Sequence, residues 1–161
     1  MNILVACEES QAVCKAFRKR GHNAFSCDLL ECSGGHPEWH FHEDCFAIIN
    51  NNGGHLESGE EYYLPDGETW DLMIAHPPCT YLSVSGARWL YHPDDAHLPI
   101  EQRREHPNHL GRRAMQKEAI EFFLALTRTK VKKWAIENPV GCMNSHYRKP
   151  DQIVQPFWFG D

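Results

Sequence analysis

Long apolar runs are missing from this chain. No stretch approaches the ~20 consecutive apolar residues that a membrane-spanning helix needs, and residues 2–7 (NILVAC) open directly as a strand-like run with no basic and apolar leader. The expectation is a cytoplasmic protein with no membrane partner. Internal repeats and low-complexity tracts are also missing, which argues against solenoids and disordered tails. An even set of cysteines is missing as well: the seven stand at 7, 14, 27, 32, 45, 79 and 142. Without a secretory signal, reduced thiols are the default rather than a disulfide framework. Cations are scarce in the first part. Up to Asp95 there are 5 basic and 15 acidic residues, net −10; from Ala96 onward there are 11 and 7, net +4. The overall charge of −6 argues against tight non-specific nucleic-acid binding by the whole chain, while the second part retains a basic surface for a polyanion.

What is present fits one α/β domain of 161 residues. Residues 2–7 and 23–28 read as buried strands. Between them lies an amphipathic helix with Ala12, Val13, Ala16 and Phe17 on one face, Ser10 as its N-cap and Gly21 just past its end. Such a strand–helix–strand unit makes the two strands parallel. Residues 40–45 read as a weak strand or loop, and 50–67, rich in Asn, Gly and Glu, as a surface insertion. Residues 70–75 (WDLMIA) and 132–136 (KKWAI) read as further strands. Residues 88–111 read as a long irregular connection, and 112–129 as a strong helix offering Met115, Ala119, Phe122, Phe123 and Leu126 to the core. Residues 152–159 have strand-like composition. In a mostly parallel sheet with flanking helices, ligands sit beyond the C-terminal strand ends. The candidate site residues are therefore Cys7, Glu8, Glu9, Ser10, Asp28, His76 to Ser83, and Glu137 to Pro139.

Two groups carry chemistry. In Pro77-Pro78-Cys79 a thiol follows a strand end on a turn stiffened by two prolines. A thiol so placed is a nucleophile candidate, although a free cysteine is more often a small buried hydrophobe. In Glu137-Asn138-Pro139 a carboxylate ends another strand. Burial there would raise its pKa and let it donate a proton to a ring nitrogen; the plainer alternative is a helix cap or loop residue.

Together these groups match P-C-x-x-[FL]-S-x-x-G, through Pro78-Cys79, Leu82-Ser83 and Gly86, followed in order by E-N-[VP]. The chain resembles the DNA cytosine-C5 methyltransferase family, in particular its small phage and prophage members. Residues 3–10, 27–36, 83–89 and 148–155 look like that subgroup, and 53–67 and 94–110 are the poorest parts. The resemblance implies a Rossmann-like, S-adenosylmethionine-dependent methyltransferase fold acting on DNA. It implies Cys79 as the nucleophile that adds to C6 of cytosine, with Glu137 on N3. Pro78, Ser83, Asn138 and Arg148 would hold the substrate. Cys7, Glu8, Glu9, Ser10, Asp28, Leu29, Asp44 and Pro77 would line the cofactor.

The chain departs from that pattern in three ways. The loop Cys7-Glu8-Glu9-Ser10 carries no glycine where the family has several, and its two carboxylates would repel the cofactor's own. Arg148 is the nearest match to the arginine that holds cytosine O2, at the wrong spacing. The length leaves no room for a separate target-recognition domain, as in a naturally short member, a truncated one or one half of a split enzyme. A homo-oligomer or complementing subunit is an expected partner besides DNA. Two other functions remain: a catalytically degenerate fold that binds a partner, and a modifier of free pyrimidine nucleotides. Zinc on Cys27, Cys32, His36, His40, His42 and Cys45 is a weaker alternative, since only Cys27 and Cys32 have pair spacing. A zinc deaminase is excluded because Leu82 stands where its second cysteine belongs. The cluster Arg103, Arg104, Arg112, Arg113 and Lys117 suits a phosphate-bearing ligand or a solvated helix face.

Overall fold

A computed structural model describes residues 1–160. In chain order the strands are β1 (Asn2–Ala6), β2 (Asn23–Asp28), β3 (His40–His42), β4 (Gly53–His55), β5 (Glu61–Tyr63), β6 (Leu72–Ala75) and β7 (Trp134–Ile136). The helices are α1 (Ala12–Lys19), α2 (Cys45–Asn51), α3 (Val84–Ala87), α4 (Arg112–Thr127) and α5 (Met143–His146). The chain divides into two compact units. One is Met1–Pro78 with Glu121–Glu137; the other is Cys79–Ile120 with the residues from Asn138 onward. Among the described residues no helix is long and apolar enough to cross a membrane.

The first unit is built on a five-stranded sheet of order β3-β2-β1-β6-β7, every pair parallel. This α/β arrangement is compatible with a Rossmann-like fold. Alternation along the strands sends side chains to two faces. Leu4, Ala6, Phe25, Cys27, Phe41, Met73 and Ala75 pack with Ile48 and Ile49 of α2, Leu126 of α4 and Trp70. On the other face Ile3, Val5 and Ala24 pack with Cys14, Val13 and Phe17 of α1. The crossover from β3 to β6 contains α2 and the antiparallel hairpin β4–β5. Residues 50–67 are thus not merely a surface insertion. Leu56 and Leu64 are buried in the main core, and a Cβ on Gly53 would lie 2.1 Å from the Tyr62 carbonyl oxygen.

Helix α1 ends as the sequence implies. Gly21 takes φ 82°, its N–H donates to the Arg18 carbonyl, and the His22 N–H reaches back to Phe17, closing the helix with a left-handed glycine. Its start differs: the N-cap is Gln11, not Ser10. In α4, Ile120, Phe123 and Leu126 are buried, but Met115 lies 46% exposed, outside the core expected for it.

The second unit has no sheet of more than a bridge among its described residues. Leu82, Leu90, Ile120 and Met143 are its buried apolar anchors, and short turns fill 88–111, as the proline content predicts. The strand expected over 152–159 is a 3-10 turn, Pro156–Phe159, with Phe157, Trp158 and Phe159 exposed.

Candidate active site

The first unit places Cys7, Glu8, Glu9, Ser10, Asp28, Leu29 and Asp44 at or just beyond the C-terminal ends of β1, β2 and β3. The loop after β1 makes a glycine-type turn without glycine. Cys7 and Gln11 take φ 59° and 58°, a left-handed conformation costing an L-residue about 1–2 kcal/mol. Hydrogen bonds hold it there. The buried Glu8 carboxylate accepts from the N–H groups of Val13 at 2.6 Å and Cys14 at 3.1 Å, the otherwise unpaired donors in the first turn of α1. Glu9 accepts the Ser33 hydroxyl through its carboxylate and the Ser33 N–H through its carbonyl. Ser10 is exposed.

Gln11 was not singled out by sequence, yet it ties this turn to the loop after β2. Its amide nitrogen donates to Ser26 Oγ at 3.2 Å and to the His36 carbonyl at 2.8 Å. Its amide oxygen accepts from the His36 N–H at 3.1 Å and the Cys32 thiol at 3.0 Å. Around the same rim, Asp28 caps a local turn by accepting the Leu30 N–H at 3.0 Å, and Leu29 is exposed. Asp44 is exposed and caps α2, accepting from Phe46 N–H at 2.7 Å.

Cys7 is no nucleophile. Its hydrogen bond to Cys45, then burial, then the nearby Cys45, Asp28 and Cys27 push its thiol far above the ordinary range. Burial does the same to Cys27, whose thiol donates to the Glu43 carbonyl at 3.1 Å.

This rim suits one end of S-adenosylmethionine and not the other. Asp28 and Asp44 offer carboxylate acceptors, and exposed Leu29 an apolar surface, as a ribose and an adenine require. The positive helix end that would welcome the cofactor's carboxylate is already filled by Glu8.

Neighbouring strands β6 and β7 carry the other groups. At their ends His76 N–H donates to the Ala6 carbonyl at 3.0 Å, and Glu137 N–H to the Ala75 carbonyl at 2.9 Å. Pro77 is buried and Pro78 exposed. Glu137 is exposed, so the burial expected for its carboxylate is absent. The His76 Nε2 atom is buried without a partner.

In the second unit, the segments that continue from those strand ends pair with each other. Ser83 and Gly141 form an antiparallel bridge. Val84 N–H donates to the Val140 carbonyl at 3.0 Å, and Cys142 N–H to the Leu82 carbonyl at 2.9 Å. Gly141 admits no side chain, because a Cβ would lie 1.9 Å from the Leu82 oxygen; at Gly86 it would lie 2.4 Å from the Thr80 oxygen. The Cys79 carbonyl accepts the N–H groups of Leu82 and Ser83, both at 3.0 Å, and Ser83 Oγ caps α3 by accepting from Gly86 N–H at 3.3 Å. From the first turns of α4, Arg112 donates to the Thr80 carbonyl at 3.1 Å and Gln116 to that of Tyr81 at 2.9 Å.

The loop carrying Cys79 is thus fixed at both flanks while Cys79 itself is exposed, the one exposed thiol of the seven. Beside these fixed segments, Asn138 Oδ1 and Arg112 Nε are buried without hydrogen-bond partners. Buried polar atoms are normally satisfied, so each of these two leaves a hydrogen bond to be made. Gln116 was not anticipated; its signal is the i, i+4 spacing from Arg112 on one helix face.

The basic cluster is only partly available. Arg104 pairs with Asp95 in a two-pronged contact at 2.9 and 2.7 Å, and Arg103 donates to the Leu98 and Ala96 carbonyls. Arg113 and Lys117 are exposed. Guanidinium groups lie over aromatic rings: Arg88 over Trp89 at 4.6 Å, Arg103 and Arg113 over Tyr91 at 5.7 and 5.2 Å, and Arg112 over Tyr81 at 4.9 Å. Arg148 is exposed and held by Asp151 at 2.5 and 2.6 Å.

Among the described residues no group of three or more His, Cys, Asp or Glu side chains is placed to hold a metal. The would-be zinc ligands are engaged elsewhere; His40, for instance, is buried against Ser26 Oγ at 2.8 Å. No family model, curated protein or solved structure matches this chain.

Proposed function

We propose that this chain, with a Rossmann-like methyltransferase fold, transfers a methyl group to C5 of cytosine in DNA through covalent attachment of Cys79 to C6. The observation that carries the reading is the exposed Cys79 on a loop braced by Ser83, Gly86, Arg112 and Gln116, and bridged to the segment that follows Glu137.

The residue types fit the chemistry. Cytosine C5 is too weak a nucleophile to take a methyl group unaided. The Cys79 thiolate forms a bond to C6, and the C5–C6 π electrons move onto the ring. Glu137, whose exposed carboxylate can take a proton from solvent, would pass that proton to N3 as the charge develops. Asn138 offers its unpaired Oδ1 to the base's exocyclic amino group. S-adenosylmethionine, when bound, supplies an electrophilic methyl group; Asp28, Leu29 and Asp44 would hold its ribose and adenine. Loss of the C5 proton to a base then re-forms the C5–C6 double bond and expels Cys79. A cytosine in a duplex must first leave the stack. Arg113, Lys117 and the arginine–aromatic pairs of the second unit suit its phosphates.

A DNA oligonucleotide containing 5-fluorocytosine, incubated with S-adenosylmethionine, tests this directly, because fluorine at C5 blocks the final elimination. The expected result is a covalent adduct that disappears with Cys79→Ser; no adduct in the wild type overturns the reading. One observation favours a second reading, a degenerate fold that binds without catalysis: Glu8 fills the helix end where the cofactor's carboxylate would sit. Calorimetry with S-adenosylhomocysteine separates the two. Micromolar binding supports the enzyme, and no binding supports the degenerate fold.

A further inference from the structure

Every Lys and Arg among the first 87 residues falls within positions 15–20, although 13 acidic residues share that stretch. Lys15, Arg18 and Lys19 stand at i, i+3 and i+4 on α1 and so share one face. Opposite them the loop before β3 supplies an aromatic wall. The His36 and Trp39 rings stack at 3.8 Å with an interplanar angle of 11°, and the Arg18 guanidinium lies 4.3 Å from the indole. These five side chains line an open groove of about 510 Å³. No carboxylate lines it, and Glu38, on the same loop, is held by His36 Nδ1 at 2.9 Å.

Helix-end electrostatics accounts for Lys19 and Arg20, at the negative end of α1. It does not account for Lys15 in mid-helix, nor for the aromatic rings set across from the cations. The Lys19 side chain makes no hydrogen bond or ion pair with any described residue, and the Lys15 ammonium reaches only the Gly34 carbonyl, at 3.2 Å.

We propose that the groove between α1 and the His36–Trp39 loop binds single-stranded nucleic acid, with Lys15 and Lys19 on phosphates and the His36 ring, 39% exposed and backed by Trp39, against a base. Single strands are held by this combination: cations follow the backbone, and flat rings take bases whatever their identity. The proposal does not rest on the methyltransferase reading.

The test is fluorescence anisotropy with a labelled oligothymidine of twenty nucleotides, a strand that holds no cytosine. Lys15→Gln/Lys19→Gln removes two exposed charges, and circular dichroism checks that the fold is kept. Loss of two phosphate contacts predicts roughly 25-fold weaker binding at 0.1 M salt and a log–log salt slope shallower by ~1.4. An abasic strand of equal length is expected to bind the wild type at least ~5-fold more weakly than oligothymidine, and that gap is expected to close in the double variant. Unchanged affinity in the double variant overturns the proposal. So does equal binding of abasic and normal strands, which would leave only charge attraction. A duplex bound as tightly as the single strand, with the same lysine dependence, overturns the assignment to single strands.

Discussion

The loops after β1 and after β6 leave neighbouring strands of one sheet, yet their polar groups are used in opposite ways. In the first, Glu8, Glu9 and Gln11 are turned onto the protein's own donors and acceptors, and the Cys7 thiol is held neutral against Cys45. In the second, the backbone is braced but the chemistry is left open. Cys79 is exposed, and the nearby Arg112 Nε and Asn138 Oδ1 lack partners. The first loop uses its polar groups to hold the fold, whereas the second is braced and leaves polar groups unused, as the proposed function requires.

Four substitutions or pH changes separate the two loops, beginning with the largest expected effect. Cys79→Ser is expected to lower methyl transfer by roughly 10³-fold or more, as removal of a covalent nucleophile does. It should move stability by no more than about 0.5 kcal/mol, because the side chain is exposed. Tritiated-methyl incorporation and thermal melting check the two halves. Equal losses in both would make Cys79 a structural residue after all.

The opposite pattern is expected at Gln11. Gln11→Ala leaves the buried Ser26 hydroxyl, the Cys32 thiol and the His36 backbone without one or more partners, at a cost of about 3 kcal/mol. For a chain of this size the melting temperature should fall by roughly 6–12 °C. An unchanged melting temperature would mean that the loop is not held by this amide.

Alkali is expected to act on the first loop's neighbourhood. Burial pushes the Cys14 thiol up to about 11, from an ordinary 9.0. The unfolded chain therefore loses that proton at lower pH than the folded chain does. The stabilisation is complete below about pH 9 and is lost as pH rises to about 11, a change of about 2–3 kcal/mol. Cys7 and Cys27, also raised, add in the same direction. Denaturant titrations at pH 8, 9 and 10 should show falling stability, and Cys14→Ala should flatten the curve. A parallel curve in that variant would clear Cys14.

Much of the first unit could be read from residues alone, because local signals there agree with the final packing. The apolar runs at 2–7 and 23–28 became β1 and β2, and Gly21 ends α1 as its conformational freedom implies. Glu8 could not be read this way. A carboxylate four residues before a helix looks like any loop carboxylate until the turn brings it under the helix donors. The hairpin β4–β5 was hidden by polar composition, since its short strands are glycine and tyrosine with the buried Leu56 and Leu64 placed just outside them. At the candidate site, Cys79, Ser83, Gly86 and Asn138 were legible as a motif; Gly86 lies close against the Thr80 carbonyl, and Gly141, which the motif does not contain, is required by the bridge to Ser83. The exposure of Glu137 and the pairing of Arg148 with Asp151 were not legible, because both depend on tertiary surroundings.

The smallest expected effect concerns the long connection at 88–111, in the same unit as Cys79. His106 is buried against Trp89 and His109, and its Nδ1 accepts the Asn108 N–H at 3.3 Å, so the ring serves its turn in the neutral form. Burial first, then His109 and His92, hold its pKa below the ordinary 6.5; Arg88, over the same Trp89 ring, adds a further positive charge nearby. With the folded value below the unfolded one, the stabilisation is present above about pH 6.5 and is lost as pH falls through the folded value. Hydrogen exchange compared at pH 7 and pH 5, after correction for the intrinsic rate, should show lost protection at 88–111 while β1 and β2 keep theirs. His106→Gln should remove most of that difference. Equal changes in both regions would trace the acid response to the whole chain rather than to this histidine cluster, and the contrast between a self-satisfied joint and a responsive second unit would then not extend beyond the Cys79 loop.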